Sequence, residues 1–404
     1  MSTQSEVANN KRLDPGALPA AGVIPLCVPE MGGNEWAYIK ECLDTGWVSS
    51  VGSYVDRFEA DVAHYTGTKY GVATVNGTAA LHIALLVAGV EPDDEVLVSA
   101  LTFVAPVNAI RYVGAWPVFM DADPDYWQMD PEKVKKFLET ECHWVGGELR
   151  NRSSGRRVKA ILPVHILGHP CDMDPILAAA QQYGLPVIED ATEGLGAAYK
   201  NRKLGSLGDI ACFSFNGNKI ITTGGGGMIV TNHEAWANKA KYLTTQAKDD
   251  PVEYVHNEIG YNYRLTNIQA AMGCAQMELL DGYIQKKRAI ATLYETHLSE
   301  LGGITPMRSA PWADSIYWMY TVLINEELTD HNSRDVLNRL AALKIQSRPL
   351  WRPMPMLPIF EKCQAFQVEN APILYRDALS LPCSVGLTEG DQQRVLAAIQ
   401  GILG

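Results

Sequence analysis

From Asn34 to Leu43 the apolar residues Trp36, Ile39 and Leu43 recur at helical spacing, which predicts a helix with one apolar face. The stretch Gly46-Trp-Val-Ser-Ser-Val-Gly52 reads as a loop, and Tyr54 to Tyr65 as a second helix. A regular alternation comes next. Short apolar runs at Tyr70–Val75, Glu95–Ser99, Trp116–Met120, Val158–Val164 and Pro186–Glu189 predict strands. Between them, Thr78–Ala88, Ala105–Val113 and Met173–Tyr183 carry helical spacing. The run at Val158–Val164 is almost wholly apolar, as in a strand buried on both faces. Strands alternating with helices imply crossover units and a mostly parallel sheet flanked by helices. The polar, Gly-rich and basic segment Cys142–Arg157 reads as an exposed excursion.

Beyond residue 260 the pattern changes. Apolar residues recur at helical spacing from Leu265 to Leu298, predicting one long helix, or two end to end, that joins two domains. Then come a strand-like run at Ile316–Ile324, a helix at Ser333–Leu343, a strand at Ile345–Arg348, a proline-rich stretch at Pro349–Pro358 and a terminal helix at Glu389–Ile402. The expected layout is a tail and N-terminal arm over 1–24, a large α/β domain over 25–275, and a smaller α+β domain over 276–404. The tail is polar, then rich in Pro, Ala and Gly, and reads as disordered.

Length and charge narrow the function. A chain of 404 residues exceeds one comfortable core. A net charge of −12 argues against nucleic acid as a partner, since phosphate backbones need a basic face. It leaves room for a small phosphorylated ligand in a local pocket of donors. The eight cysteines show neither metal-ligand spacing nor a disulfide framework, which suits reduced thiols in a cytoplasmic protein. No run is long and apolar enough to span a membrane.

The candidate chemistry centres on Lys219. It stands between the strand-like run Ile210–Phe215 and four glycines, Gly224 to Gly227, that lead into a second apolar run. Lysine is costly to bury without a partner or a covalent use. Three upstream loops come after predicted strands, where ligands of such sheets bind. At Asn76-Gly-Thr-Ala-Ala80, Gly77 permits a tight turn. Thr78 and Ala79 would offer backbone N–H groups to a phosphate; the same turn also reads as a simple helix cap. Phe103 could cover a flat ligand or belong to the core. Asp190 closes an apolar strand, so its carboxylate would want a cationic partner. Pyridoxal 5′-phosphate (PLP) unites them: amine on Lys219, pyridine nitrogen on Asp190, ring under Phe103, phosphate in the cup at Gly77–Ala79.

These motifs resemble the DegT/DnrJ/EryC1/StrS sugar aminotransferases from about Pro25 to the C-terminus. Ser214-Phe-Asn-Gly-Asn-Lys219 with Thr-Thr-Gly-Gly-Gly-Gly-Met behind it is similar to the family's Schiff-base motif. Asn76-Gly-Thr-Ala-Ala-Leu81 is similar to its phosphate turn, Thr102-Phe103 to its stacking aromatic, and Glu189-Asp-Ala-Thr-Glu-Gly-Leu-Gly196 to its pyridine-binding motif. The resemblance implies that Ser214 is a phosphate ligand and that Glu193 contacts the cofactor's ring hydroxyl, where many members carry Gln or His. In Gly260-Tyr-Asn-Tyr-Arg-Leu-Thr-Asn267 it implies that Asn262 reaches the phosphate of a neighbouring subunit. Ser347-Arg-Pro-Leu-Trp351 is similar to a small-domain motif near the substrate entrance.

The same resemblance implies a fold-type I aminotransferase, a homodimer with shared active sites. It would use PLP, with pyridoxamine 5′-phosphate as intermediate, to move an amino group from L-glutamate, releasing 2-oxoglutarate, to a nucleotide-linked keto sugar. Lys219 would shuttle protons. Glu193 and the Asn-Gly-Asn-Lys form point to the LegC-like subgroup and to UDP-2-acetamido-4-keto-2,6-dideoxy-glucose. A GDP-linked or 3-keto sugar stands as the alternative. A sugar 3-dehydratase is a further one, although such members carry histidine at the position of Lys219.

Overall fold

The computed structural model describes residues 22–250 and 252–404. The disordered tail expected over Met1–Ala21 lies outside the described residues. A mixed sheet forms the large domain. Its strands are β1 (Tyr70–Thr74), β2 (Glu95–Ser99), β3 (Trp116–Met120), β4 (Val158–Leu162), β5 (Ile188–Asp190), β6 (Ile210–Ser214) and β7 (Gly227–Thr231). Their order is β1-β7-β6-β5-β4-β2-β3, with single bridges Ile161–Val187 and Val164–Asp190 joining β4 to β5. Strand β7 runs antiparallel to both its neighbours, and the other pairs are parallel. Every residue of β2 is buried, as expected of a strand covered on both faces.

Helix α1 (Glu35–Thr45) and α2 (Ser53–Thr66) pack against α4 (Asn267–Met277), while α3 (Gly77–Val87) comes after β1. Thr266 and Gln269 close a capping box at the start of α4. Gly273 in α4 leaves room for the Phe58 ring, which an added Cβ would meet at 2.7 Å. That ring packs in turn on Phe215 at 4.8 Å between centroids. The predicted apolar face of α1 points outward: Trp36 is 74% and Leu43 55% exposed. A polar network sets the buried face instead. Glu35 accepts from Gly33 N–H (2.8 Å) and from the Gln276 amide, and Cys42 contacts Asn267.

The long helix is two: α4, then α5 (Leu280–Leu298) after a break at Glu278–Leu279. The small domain holds an antiparallel sheet of β8 (Ile304–Pro306), β9 (Tyr320–Ile324) and β10 (Ala378–Leu381). The expected excursion at 142–157 is an antiparallel hairpin, Cys142–Val145 with Glu148–Asn151, tied down where buried Asn151 donates to Glu95 Oε2 at 2.7 Å. The strand expected at Ile345–Arg348 is two isolated bridges, Ile345 to Ile24 and Arg348 to Ser380. Two segments cross the boundary expected at 275/276. Ile24, placed in the tail by sequence, is buried against Ile345, and Ala365–Phe366 adds an edge strand to β3 of the large sheet. Among the described residues no helix is long and apolar enough to cross a membrane.

Candidate active site

A cavity of about 480 Å³ opens at the carboxyl ends of β1, β5 and β6, and the small domain closes its far wall through Trp318, Met319, Arg348 and Trp351. The loop after β6 delivers Lys219 into it. Phe215 N–H donates to Gly226 O (2.8 Å), Thr223 N–H to Phe215 O (3.0 Å), and Lys219 N–H to Asn216 O (3.0 Å), which closes the loop tightly. The Lys219 side chain is 12% exposed, with Nζ 3.6 Å from Glu193 Oε1 and 4.2 Å from the centre of the Trp318 ring. Trp318 is itself fixed by Nε1–H donating to Asn218 O at 2.7 Å.

One carboxylate, Glu193, faces this amine, and a second, Asp190, is buried close enough to feel its charge. Asp190, the last residue of β5, is 2% exposed and accepts the Thr192 N–H at 3.1 Å. Burial raises its pKa, opposed by the Thr192 hydrogen bonds and the Lys219 charge. Among the described residues it has no cation within ion-pair distance, so this buried acid lacks the partner its burial calls for. Glu193 is 6% exposed, and its other oxygen accepts the Leu167 N–H at 2.8 Å. Burial pushes Glu193 up to about 7, again opposed by Lys219. Leu167 reaches it from the left-handed region, φ +61°.

The structure places Gly77 and Thr78, but not Ala79, on the cavity. Asn76 caps α3, but its Oδ1 takes the Ala79 N–H at 2.8 Å. Ala79 is therefore no phosphate donor in this structure and does not line the cavity. Gly77 and Thr78 do line it, their N–H groups at the open first turn of α3, and Ser214 stands opposite. A Cβ on Gly77 would meet Ser214 Cβ at 2.8 Å, and one on Gly227 would meet the Asn76 carbonyl at 2.5 Å. Two of the glycines flanking the site thus mark close backbone approach. Phe103, 52% exposed, stands on the cavity rim. Asn262 is exposed, pairs with Thr245, and lies outside the cavity of its own chain.

Sequence reasoning did not find Trp318, Leu167 or the layer beneath Asp190. Adjacent strand residues point to opposite faces. Behind the site, Glu189 therefore accepts from Leu207 (2.8 Å), Gly208 (2.7 Å) and Gly205 (3.1 Å) N–H and faces His165 Nε2 at 3.1 Å. His165 Nδ1 accepts the Cys171 N–H at 3.0 Å, so the ring is neutral and donates from Nε2. The Glu-Asp dipeptide was the available signal: Glu189 for the scaffold, and Asp190 on the opposite face of β5, next to cavity-lining Thr192.

The residues fit PLP. A buried acid without a cation suits a protonated pyridine nitrogen, the open turn and Ser214 suit a phosphate, and Lys219 is placed to hold an aldehyde carbon. Fold and site together define a fold-type I, PLP-dependent aminotransferase. The chain belongs to the DegT/DnrJ/EryC1/StrS aminotransferase family, which it matches over residues 29–400. It is a PLP-dependent sugar aminotransferase. It is 43% identical over 382 residues to the GDP-perosamine synthase of Caulobacter vibrioides, covering 94% of this chain and 98% of that protein. It is 39% identical over 339 residues to the GDP-perosamine synthase of Escherichia coli O157:H7, covering 84% and 87%. The crystal structure of the aminotransferase TlmJ from Streptoalloteichus hindustanus matches with a TM-score of 0.85 at 25% identity, covering 94% of this chain and 98% of that one.

Proposed function

We propose that the protein transfers the amino group of L-glutamate to C4 of a GDP-linked 4-keto-6-deoxy sugar. The observation that carries the reaction is the amine of Lys219 facing the raised Glu193 carboxyl at 3.6 Å, beside buried Asp190, which has no cation within ion-pair distance among the described residues. Bound PLP supplies an electron sink and a carrier for the amino group. Lys219 moves the proton at the donor's α-carbon and later at C4 of the sugar. With PLP bound, Asp190 would hold the proton on the ring nitrogen and Glu193 would accept a hydrogen bond from the ring hydroxyl. Phe103 and Trp318 shield the reacting atoms from water.

The carrier nucleotide rests on similarity. Two of the relatives, at 43% and 39% identity, are named for a GDP sugar, which favours the GDP alternative over the UDP sugar expected from Glu193 and the Asn-Gly-Asn-Lys form. A lysine at 219 supports transamination over 3-dehydration. The protein acts as a homodimer in which Asn262 serves the phosphate site of the neighbouring copy. Its exposure outside its own cavity supports this, as do the solvent-facing Trp36, Leu43, Trp47 and Val51. The test is incubation with glutamate and matched GDP- and UDP-linked 4-keto-6-deoxy sugars, with the amino product read by NMR. Turnover of the GDP sugar to a 4-amino product is expected. Turnover of the UDP sugar alone, or amination at C3, would overturn the assignment.

A further inference from the structure

The loop that delivers Lys219 carries an amide with no task inside the chain. Asn218, the residue before the lysine, lines the cavity. Among the described residues it is bonded through its backbone carbonyl alone, which accepts the Trp318 Nε1–H at 2.7 Å and the Cys27 S–H at 3.5 Å. Its side-chain Oδ1 is buried and has no hydrogen-bond partner among the described residues. A buried amide oxygen is costly to leave unpaired.

An asparagine in a loop commonly serves the backbone. It tolerates the left-handed region, or its side chain caps a turn or a helix. Asn218 does neither: its φ is not positive, and its amide bonds to no backbone group among the described residues. Asn216 lines the cavity as well, but it is exposed and can be served by water.

The corner of the cavity in which Asn218 stands is fixed from two sides. Its peptide leads directly into Lys219, and its carbonyl holds Trp318, whose ring covers Lys219 Nζ at 4.2 Å. Other polar groups on that wall are already committed or of the wrong kind for a neutral ligand. The Trp318 N–H is spent on Asn218 O, and Ser380 Oγ is paired with Thr321 Oγ1 at 2.8 Å. Arg348 carries a charge, which suits a carboxylate or a phosphate. The Asn218 amide is neutral and offers one acceptor and two donors, and a half-turn about its last bond exchanges the two ends. A hydroxyl, donor and acceptor in one group, is its complement.

We propose that Asn218 is a specificity-determining residue that binds the C3 hydroxyl of the keto sugar. This rests on the amination at C4 proposed above. Lys219 works at C4, and the two ring neighbours of C4 in a 4-keto-6-deoxy hexose differ in kind. C5 carries a methyl group and the ring oxygen, while C3 carries a hydroxyl. The hydroxyl beside the reacting carbon is therefore the one on C3. The amide holds it and thereby sets the carbonyl carbon against Lys219. A sugar without that hydroxyl leaves the buried amide unpaired, and the site rejects it.

The test measures amination by the holoenzyme of a GDP-linked 4-keto-6-deoxy hexose and of its 3-deoxy counterpart, and of the same pair linked to UDP. The wild type should favour the hydroxyl-bearing sugar in kcat/KM by about tenfold or more. Asn218→Ala should bring that ratio to within about threefold of one, and Asn218→Asp, which keeps the shape and an acceptor, should retain a preference. If Asn218→Ala fails to fold or to take up PLP, the wild-type ratio and Asn218→Asp decide. Equal use of the two sugars by the wild type, or an undiminished preference in Asn218→Ala, overturns the proposal. Amination at C4 of the UDP pair alone overturns the GDP assignment, and the sugar ratio still decides the role of Asn218. Amination at C4 of neither pair overturns both.

Discussion

The Lys219 ammonium stands 3.6 Å from Glu193 Oε1, beyond a close hydrogen bond, while Trp318 covers its other side at 4.2 Å. The looseness matters chemically. A short, saturated ion pair would hold the amine protonated and fixed, whereas an aminotransferase lysine must lose its proton and swing. Replacing Lys219 with Ala removes both covalent attachment and proton transfer. The yellow colour of the holoenzyme should vanish, and amino transfer should drop by roughly 10³-fold or more. A variant that stays yellow and active would remove Lys219 from its role.

Asp190→Asn keeps the shape of the site and loses the charge. Since the hydrogen bonds to the carboxylate come from Thr192 alone among the described residues, the fold loses little and the site loses its anion. Rate constants should fall about 10²- to 10³-fold with KM for glutamate little changed. Equal loss in KM and kcat would point instead to a binding role.

Glu193 gives a pH signature in the cofactor-free protein. Its pKa rises on folding from the ordinary carboxylate range to about 7 because it is buried. Between these values the folded state binds more protons than the unfolded one, so stability declines as pH rises through the window and levels off above it. Glu193→Gln has no such proton to lose. Its stability advantage over the wild type should grow between pH 5 and pH 7, to at most about 3 kcal/mol. Parallel urea-midpoint profiles would contradict the burial argument.

Gly227→Ala places a methyl 2.5 Å from the Asn76 carbonyl, in rigid backbone. The turn at Gly77–Thr78 must move, and the phosphate site moves with it. PLP affinity, measured by equilibrium titration, should fall at least about tenfold, with a stability loss of roughly 1–3 kcal/mol.

Gly273→Ala tests the core without touching the cofactor. The methyl would meet the Phe58 ring at 2.7 Å, between α2 and α4. A destabilisation of roughly 1–3 kcal/mol in urea unfolding is expected, with spectra of bound PLP unchanged.

Much of the fold and site was legible in the sequence because it is local. Strands β1 to β6 announce themselves as apolar runs, and Lys219, Asp190, Phe103 and Ser214 each sit just past or at the end of one. The parts that were not legible depend on long-range pairing or on competition for a donor. Trp318 comes to Lys219 from 99 positions away, on a segment whose apolar run reads as ordinary core. The Ala79 N–H was lost to Asn76, whose side chain satisfies the helix end before any phosphate arrives. The apolar stripe of α1 pointed outward because Glu35 and Cys42 hold polar contacts beneath it, and periodicity does not register such contacts. Ala365–Phe366 is too short to announce a strand at all.

The two crossings between domains bear on how the chain comes off the ribosome. Ile24 finds its partner at Ile345, and β3 meets its outer neighbour only at Ala365–Phe366. Neither lobe can be completed from its own stretch of sequence. The nascent large domain must wait, with one sheet edge uncovered, until nearly the whole polypeptide has been made. Until then the β3 edge is open to pairing with another chain.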